Sequence, residues 1–111
     1  MNMKEPKTDS CDGCPVAASL LLLGDRWTLV VVRDLLLGKH KFSEFLASAE
    51  AIPTNLLTER LRRLEEHGLV EKHAYQDRPP RYEYHLTESG TALRSVVEAF
   101  REWGLRYLPR G

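Results

Sequence analysis

An Arg-rich segment in the middle of the chain most constrains what the chain can fold into. Leu57, Leu61 and Leu64 recur there at steps of four and three residues, a spacing that places side chains on one face of an α-helix. Gly68 follows the last of these leucines and suits the left-handed position just past a helix end. The pattern predicts an amphipathic helix over about residues 54–67, with an opposite face rich in Asn, Thr, Arg and Glu.

Two short strands are predicted directly after that helix. Residues 69–75 and 82–86 are rich in Val, Tyr and Leu, which suit half-buried strands. Between them, Pro79-Pro80 lacks backbone donors and cannot continue a hydrogen-bonded ladder. The sequence therefore predicts a β-hairpin whose tip is flanked by Arg78 and Arg81.

Helices are predicted on both sides of this central region, because glycines, prolines and capping residues divide the flanking sequence into apolar segments of helical length. The predicted upstream helices are Pro15–Leu23, opened by Cys14 and closed by Gly24; Arg26–Leu37, capped by Asp25 and closed by Gly38; and Phe42 to about Ala49, capped by Ser43. The predicted downstream helix runs from Glu88 to about Tyr107 and is capped by Thr87.

Short helix, turn, Arg-bearing helix and hairpin follow one another in the order of a winged helix-turn-helix, a mostly helical α+β fold. In that fold the recognition helix, here about residues 54–67, enters the major groove of DNA, and the wing, about residues 69–87, contacts phosphates or the minor groove. Double-stranded DNA is therefore the expected partner. The alternative is a winged-helix protein–protein adaptor without DNA contact, whose charged helix face is only solvated surface. The candidate DNA contacts are Lys41, Ser43, Thr54, Asn55, Thr58, Glu59, Arg60, Arg62, Arg63, Arg78 and Arg81.

The balance of charge runs against a simple nucleic-acid binder. The chain carries 16 Lys and Arg and 16 Asp and Glu, a formal net charge of +0, whereas nucleic-acid domains are often basic overall. We expect the charges to be segregated, with the basic residues on the elements that would face DNA. Glu65, Glu66 and Glu71 lie beyond the groove-facing end of the recognition helix. Affinity for non-specific DNA is therefore expected to be modest.

A homodimer is expected, because winged-helix regulators read the two half-sites of a palindromic operator about a two-fold axis. The predicted last helix also repeats apolar residues at helical spacing, with more apolar surface than one small domain can cover. The first helix is the expected partner surface. The candidate interface residues are Val16, Leu20, Leu23, Val96, Val97, Phe100 and Trp103.

The residues Cys11 and Cys14 form a C-x-x-C motif, which is typical of zinc sites and redox pairs. Zinc would require two further ligands, and the four histidines form no His-x₃₋₅-His set. A thioredoxin-like role would require a βαβ context that the chain lacks. Two reduced thiols without a function are the plainest interpretation. The alternative is a reactive Cys14, because the partial positive charge at a helix N-terminus favours a thiolate over a thiol.

Several short motifs stand in a specific order over about residues 14–104. They are Cys14-Pro15-Val16, Gly24-Asp25-Arg26-Trp27-Thr28, Phe42-Ser43-Glu44-Phe45, the run Leu57–Glu65, Gly68-Leu69-Val70, Pro79-Pro80-Arg81-Tyr82-Glu83-Tyr84, Leu86-Thr87-Glu88-Ser89-Gly90 and Trp103-Gly104. In these motifs the chain resembles the HxlR family of bacterial winged helix-turn-helix transcription regulators, relatives of the MarR group. Pro53 departs from the pattern, which has a capping Ser or Thr before the recognition helix.

The resemblance implies a DNA-binding regulator of transcription that acts as a homodimer. The family includes members that sense oxidants or electrophiles through a cysteine at the place of Cys14. The resemblance extends that role to Cys14 and not to Cys11. A thiol-responsive regulator is thus one hypothesis, and a small-molecule effector is the competing one.

Catalytic, cofactor and membrane motifs are missing from the sequence. There is no Gly-x-Ser-x-Gly setting and no Gly-rich phosphate loop, so we expect neither an enzyme nor a bound cofactor or metal. No apolar run approaches the roughly 18 residues of a membrane span, and charged residues interrupt the N-terminus before any apolar stretch. We therefore expect a cytoplasmic protein without a membrane partner. Its 111 residues suit one domain over 14–107, preceded by a poorly ordered arm over 1–13.

Overall fold

A computed structural model describes residues 14–110, which form six helices and one two-stranded antiparallel sheet. The predicted N-terminal arm and Cys11 lie outside the described residues. The elements are α1 (Pro15–Leu23), α2 (Thr28–Leu36), α3 (Phe42–Leu46), α4 (Thr54–Glu66), β1 (Val70–Asp77), β2 (Pro80–Leu86), α5 (Glu88–Thr91) and α6 (Arg94–Tyr107). Helices α3 and α4 form the helix-turn-helix and the hairpin forms the wing, so the predicted fold class is confirmed.

The apolar face of α4 lies at the centre of the core. Leu57, Leu61 and Leu64 are each no more than 1% exposed, and they belong to one buried cluster with Val32 of α2 and Phe45 of α3. Burial of a leucine side chain stabilises the fold by roughly 1.5–3 kcal/mol relative to an exposed one. These three leucines therefore determine which face of α4 is buried and which faces outward.

Helix α2 begins two residues later than predicted, and its N-cap residue is Trp27 rather than the predicted Asp25, although the Asp25 side chain still binds the helix start. A carboxylate oxygen of Asp25 accepts hydrogen bonds from the backbone N–H groups of Trp27, at 3.0 Å, and Thr28, at 3.2 Å. Trp27 itself is buried in the core. At the other end, Gly38 adopts a φ of +100°, a left-handed conformation that favours glycine, so the chain leaves the helix where the sequence predicted.

The capping prediction for α3 was wrong. The helix begins at Phe42, with Lys41 as the N-cap residue, so Ser43 lies inside the first turn. The side chain of Glu44 instead satisfies this helix start, because its Oε1 accepts from the backbone N–H groups of Lys41, at 3.0 Å, and His40, at 2.8 Å. The helix also ends at Leu46 and does not reach Ala49.

The wing is attached to the loop between α2 and α3. Tyr84 donates its backbone N–H to the carbonyl of His40 at 2.8 Å, and Lys41 forms an isolated antiparallel bridge with Glu83. The hairpin tip differs slightly from the prediction, because Pro80 pairs with Asp77 and belongs to β2.

The single downstream helix predicted from the sequence is two helices in the structure. Thr87 caps the first, since its Oγ1 accepts from the backbone N–H of Gly90 at 3.3 Å. The backbone of Gly90 approaches the hairpin so closely that a Cβ would lie 2.1 Å from the carbonyl oxygen of Leu69. This contact holds the short α5 against the base of the wing, and the longer α6 starts after a two-residue break.

Candidate nucleic-acid interface

The N-terminal turns of α4 present a polar surface on the side opposite the core. Thr54, Asn55 and Thr58 are all exposed, because they alternate with the buried leucines on the helical repeat. The Thr58 hydroxyl donates to the carbonyl of Thr54 at 3.0 Å. Within residues 14–110 the Asn55 amide has no hydrogen-bond partner, so its donor and acceptor can both meet an external group. Pro53 occupies the N-cap position without a side-chain hydrogen bond, and the helix begins at Thr54 nonetheless.

Glu59 and Arg62 continue this surface toward the middle of the helix. Arg62 forms ion pairs with Glu59 and with Glu66, and its side chain is more than half exposed. Exposed ion pairs of this kind contribute little to stability. Arg62 can therefore exchange these partners for a phosphate without a large cost, which leaves it available as a predicted DNA contact.

Two other arginines of α4 turn inward instead. Arg60 donates from Nε to Asp25 Oδ2 at 2.7 Å, and Arg63 donates from Nη2 to Asp25 Oδ1 at 3.0 Å. Their side chains are only 16% and 25% exposed. Both positions border the apolar stripe of Leu57 and Leu64 on the helical repeat. Their side chains therefore lie toward the protein interior, where they contact the turn that follows α1. Arg60 and Arg63, both predicted as DNA contacts, thus point toward Asp25 in this structure.

The wing and α3 form a basic, aromatic cleft of about 360 Å³. The Lys41 ammonium lies over the Tyr75 ring, 4.8 Å from its centroid, and Ser43 and Arg81 also line the cleft. The cleft thus brings together three of the predicted DNA contacts, Lys41, Ser43 and Arg81. Arg78 is exposed at the tip, and within the described residues it forms no ion pair.

Sequence reasoning named Arg78 and Arg81 of the wing but missed Lys72, Tyr75 and Tyr82. Tyr75 and Tyr82 line the cleft, and the Lys72 ammonium lies 4.6 Å from the centroid of the Tyr82 ring. Tyrosine hydroxyls and lysine ammonium groups are common donors to DNA phosphates. The occurrence of basic and aromatic residues close together in the hairpin sequence, as in Arg81-Tyr82, was the signal that could have identified them.

A second face of the molecule is apolar and is made by α1 and α6. Val16, Leu20, Phe100 and Trp103 are each more than half exposed, while Leu23, Val96 and Val97 are half-buried. Leu21 of α1 is also exposed, by 70%, although the helical repeat turns it away from the stripe of Val16, Leu20 and Leu23. A groove of about 680 Å³ lies between α1, α2 and α6 and is lined mainly by apolar side chains.

Cys14 lies at the N-terminus of α1, beside that apolar face. It is the N-cap residue, and the backbone N–H of Ala17 donates to its sulfur at 3.5 Å. The thiol is half-buried and forms no disulfide with another described residue. The predicted position of Cys14 at the helix start is therefore correct.

Two histidines of the wing, His73 and His85, are neighbours of His40 in the loop between α2 and α3. The rings of His40 and His85 stack with centroids 4.1 Å apart, and the His73 ring meets His85 edge-on at 5.5 Å. His73 and His85 also contact Glu71 and Glu83 through Nε2. Even so, no group of three or more His, Cys, Asp or Glu side chains between residues 14 and 110 could hold a metal ion.

None of the helices between residues 14 and 110 is by itself long and apolar enough to cross a membrane. Helices α1 and α2 meet the length and composition criteria only as a pair, and that pair is bent by 82°.

A helix-turn-helix with an exposed polar recognition helix and a wing that carries Arg78 and Arg81 at its tip defines the class of winged-helix transcription regulators. The HxlR-like helix-turn-helix family matches residues 22–111. The chain is 36% identical over 103 residues to the uncharacterized HTH-type transcriptional regulator YdeP of Bacillus subtilis (strain 168), covering 93% of this chain and 80% of that protein. The chain belongs to the HxlR-like family, as the sequence motifs indicated.

Two further relatives differ in length. The uncharacterized HTH-type transcriptional regulator Mb3122 of Mycobacterium bovis is 40% identical over 99 residues, which are 89% of this chain but 62% of that longer protein. The redox regulator HypR in its oxidized form superposes with a TM-score of 0.78 at 35% identity, covering 87% of this chain and 100% of HypR.

Proposed function

We propose that this chain is a homodimeric transcription regulator that binds a palindromic DNA operator through α4 and the wing. The observation that carries the proposal is the outward polar face at the N-terminal end of α4, flanked by the basic cleft of the wing. The N-terminal residues of a recognition helix are the ones that usually reach base edges. Membership of a family of transcription regulators supports the same function.

Base reading is assigned to the exposed end of α4. An asparagine amide can form two hydrogen bonds with adenine, a glutamate can accept from cytosine, and a threonine can contact either a polar edge or a thymine methyl group. Asn55, Thr58 and Glu59 therefore carry sequence preference. Phosphate contacts are assigned to the basic and hydroxyl side chains around them, which are Lys41, Ser43, Thr54, Arg62, Arg78 and Arg81. Arg60 and Arg63 are left out because Asp25 holds them.

The dimer is assigned to the apolar face of α1 and α6. An exposed apolar face of this extent is typical of a protein–protein interface. The side chains of Phe100 and Trp103 are the kind of large aromatic anchors that dominate binding energy. A second copy of this chain is the occupant that a palindromic operator requires.

The wing arginines provide the first test of DNA binding. The double variant Arg78→Ala, Arg81→Ala is expected to weaken binding to all DNA sequences alike, because phosphate contacts carry no sequence information. The slope of log affinity against log salt should fall by about two, about one for each lost contact. The measurement is a fluorescence anisotropy titration over a range of salt concentrations, with a duplex that the wild-type protein selects from a random library.

A matched control replaces two exposed basic residues outside the proposed site. Arg94 and Arg110 are both exposed, so Arg94→Ala, Arg110→Ala changes the net charge equally and should leave the slope within experimental error. An unchanged slope for the wing variant would show that the hairpin has only a structural role. If the wild-type protein selects no duplex at all, the adaptor function is favoured over the regulator.

Regulation is assigned to Cys14. Its sulfur lies at the N-terminus of α1, where it accepts from the backbone N–H of Ala17, and α1 belongs to the proposed dimer interface. In the presence of diamide, two thiols lose two protons and two electrons to form a disulfide, and diamide is reduced to the hydrazine. The partner thiol is Cys14 of the second copy or Cys11 of the same chain. The similarity to the redox regulator HypR supports this assignment.

Oxidation is therefore expected to change DNA affinity. Diamide should shift the operator affinity of the wild type by about 5- to 150-fold, the range of a coupling free energy of 1–3 kcal/mol. Cys14→Ser should bind with the untreated wild-type affinity, and diamide should not change that affinity. Cys11→Ser should still respond to diamide if the disulfide joins Cys14 of the two copies, and should not respond if Cys14 pairs with Cys11. A wild-type affinity that responds neither to diamide nor to a quinone would leave Cys14 as a helix-capping residue only.

A further inference from the structure

The carboxylate of Asp25 joins three helices at one point. It lies in the turn between α1 and α2 and accepts hydrogen bonds from the backbone N–H groups of Trp27 and Thr28 and from the Thr28 hydroxyl. From α4, Arg60 reaches one carboxylate oxygen at 2.7 Å and Arg63 reaches the other at 3.0 Å. A single side chain thus connects the start of α2 to the middle of the recognition helix.

Arg63 extends this connection to α1. The same Nη2 atom that meets Asp25 also donates to the backbone carbonyl of Leu22 at 2.5 Å, and Leu22 lies in the last turn of α1. The turn that follows is tight, because a Cβ at Gly24 would lie 2.4 Å from the carbonyl oxygen of Leu20. The end of α1 is therefore held at a defined position against α4.

The electrostatics of the cluster favour its ionised form. Partial burial would by itself raise the pKa of Asp25, but the hydrogen bonds from Thr28, Arg60 and Trp27 outweigh burial and hold that pKa well below its ordinary value. The hydrogen bond to Asp25 likewise raises the pKa of Arg60. Asp25 therefore stays charged at any pH at which the protein would meet DNA, and the two arginines stay bound to it.

We propose that Asp25 is a positioning residue for DNA recognition, which sets the orientation of α4 relative to α1 through Arg60 and Arg63. The inference rests on the proposed function, in which α1 contributes to the dimer interface and α4 enters the major groove. The two half-sites of an operator have a fixed spacing. A rotation of α4 against α1 moves both recognition helices relative to the two-fold axis, so it weakens operator binding while sparing non-specific binding.

The same contacts couple the position of α1 to the position of the recognition helix. A change at Cys14 or at the dimer interface that displaces the last turn of α1 also moves the carbonyl of Leu22. Arg63 binds both that carbonyl and Asp25, so the displacement reaches α4 directly. Asp25 therefore connects α1, which begins at the proposed regulatory residue Cys14, to α4, which is proposed to contact the DNA bases.

The variant Arg63→Gln separates positioning from phosphate contact. If Arg63 only positions α4, its loss should lower the ratio of operator to non-specific affinity by about tenfold, because a hydrogen bond between charged groups is lost, and should leave the salt slope unchanged. If Arg63 contacts a phosphate, the slope should fall by about one and the ratio should stay constant. The second result would overturn the proposal.

Asp25→Asn provides the complementary measurement. The asparagine keeps the shape and an acceptor for the backbone of α2, but it loses the charge that holds the two arginines. Its operator-to-non-specific ratio should fall by about 10- to 100-fold. An increase in non-specific affinity with a steeper salt slope would mean that Arg60 and Arg63, once released, are DNA contacts, and would contradict positioning.

Glu50→Gln is the matched control for this variant. It changes the net charge by the same amount and removes a bidentate ion pair, because Arg33 donates to both Glu50 oxygens at 2.8 and 2.9 Å. That pair does not include α4, so the affinity ratio should stay within about twofold of the wild type. A drop as large as that of Asp25→Asn would show that the effect is one of stability rather than positioning.

Hydrogen exchange on the DNA-free protein separates the failure of this inference from the failure of the proposed function. Asp25→Asn should speed amide exchange in peptides covering residues 22–28 and 60–66 and leave β1 and β2 unchanged, whereas Arg63→Gln should do so more weakly. Unchanged exchange in both variants would overturn the positioning role, whether or not the wild type binds DNA. Faster exchange in a protein that selects no duplex would refute the DNA function and, with it, the proposal that Asp25 serves DNA recognition.

Discussion

Phe100→Asp should convert the protein from a dimer to a monomer of 12.7 kDa. The Phe100 side chain is 64% exposed in a single copy and lies on the apolar face of α6. Two copies that meet through this face would each bury an unpaired carboxylate, whose desolvation costs several kcal/mol. Sedimentation equilibrium at micromolar concentration should therefore show only the monomer. Operator affinity should fall by at least about 100-fold, because the second half-site no longer binds as part of the same molecule.

The control for this variant places the same charge on the other side of the same helix. Ser95 is exposed on α6 and points away from the stripe that contains Val96, Val97 and Phe100, so Ser95→Asp should remain dimeric. Thermal unfolding of both variants checks that neither change simply unfolds the domain. A wild-type protein that sediments as a monomer at micromolar concentration would refute the proposed dimer before any variant is made.

Asn55→Ala should change which DNA sequence the protein prefers. The Asn55 amide is exposed near the start of α4 and is free to pair with an adenine edge. Its loss should reduce discrimination at one base position by about 1–3 kcal/mol per half-site. Selection of duplexes from a random library, by wild type and variant in parallel, measures the effect directly.

Arg62→Ala serves as the comparison for base reading, because Arg62 is assigned to phosphate. It should weaken binding to every duplex to a similar degree and leave the selected sequence unaltered. If Asn55→Ala also leaves the selected sequence unaltered, base contacts belong to other residues of α4, and the assignment of Asn55 is wrong.

The recognition helix and the wing could be predicted because their patterns are local. The spacing of Leu57, Leu61 and Leu64 requires one face of α4 to be buried, since no other arrangement removes all three side chains from water. Gly68, at a φ of +76°, ends that helix region as predicted. The prolines near residue 80 similarly placed the hairpin tip, with an error of one residue.

The helix boundaries that were wrong depend on contacts between distant segments. The predicted downstream helix is interrupted because Gly90 meets the carbonyl of Leu69, about twenty residues earlier in the chain. Ser43 was a reasonable cap by residue type, but the side chain of Glu44 already satisfies the backbone at that helix start. Residue preferences do not indicate which of two nearby polar side chains reaches the free N–H groups.

The arginines of α4 show most clearly what only the tertiary structure decided. From the sequence, Arg60, Arg62 and Arg63 are equivalent basic residues of an amphipathic helix, and the sequence determined that all three lie off the leucine stripe or at its edge. Which of them stays at the surface depends on where Asp25 lies, and the turn between α1 and α2 places Asp25 beside α4. Since a partly buried carboxylate binds nearby guanidinium groups strongly, Arg60 and Arg63 turn inward while Arg62 stays at the surface.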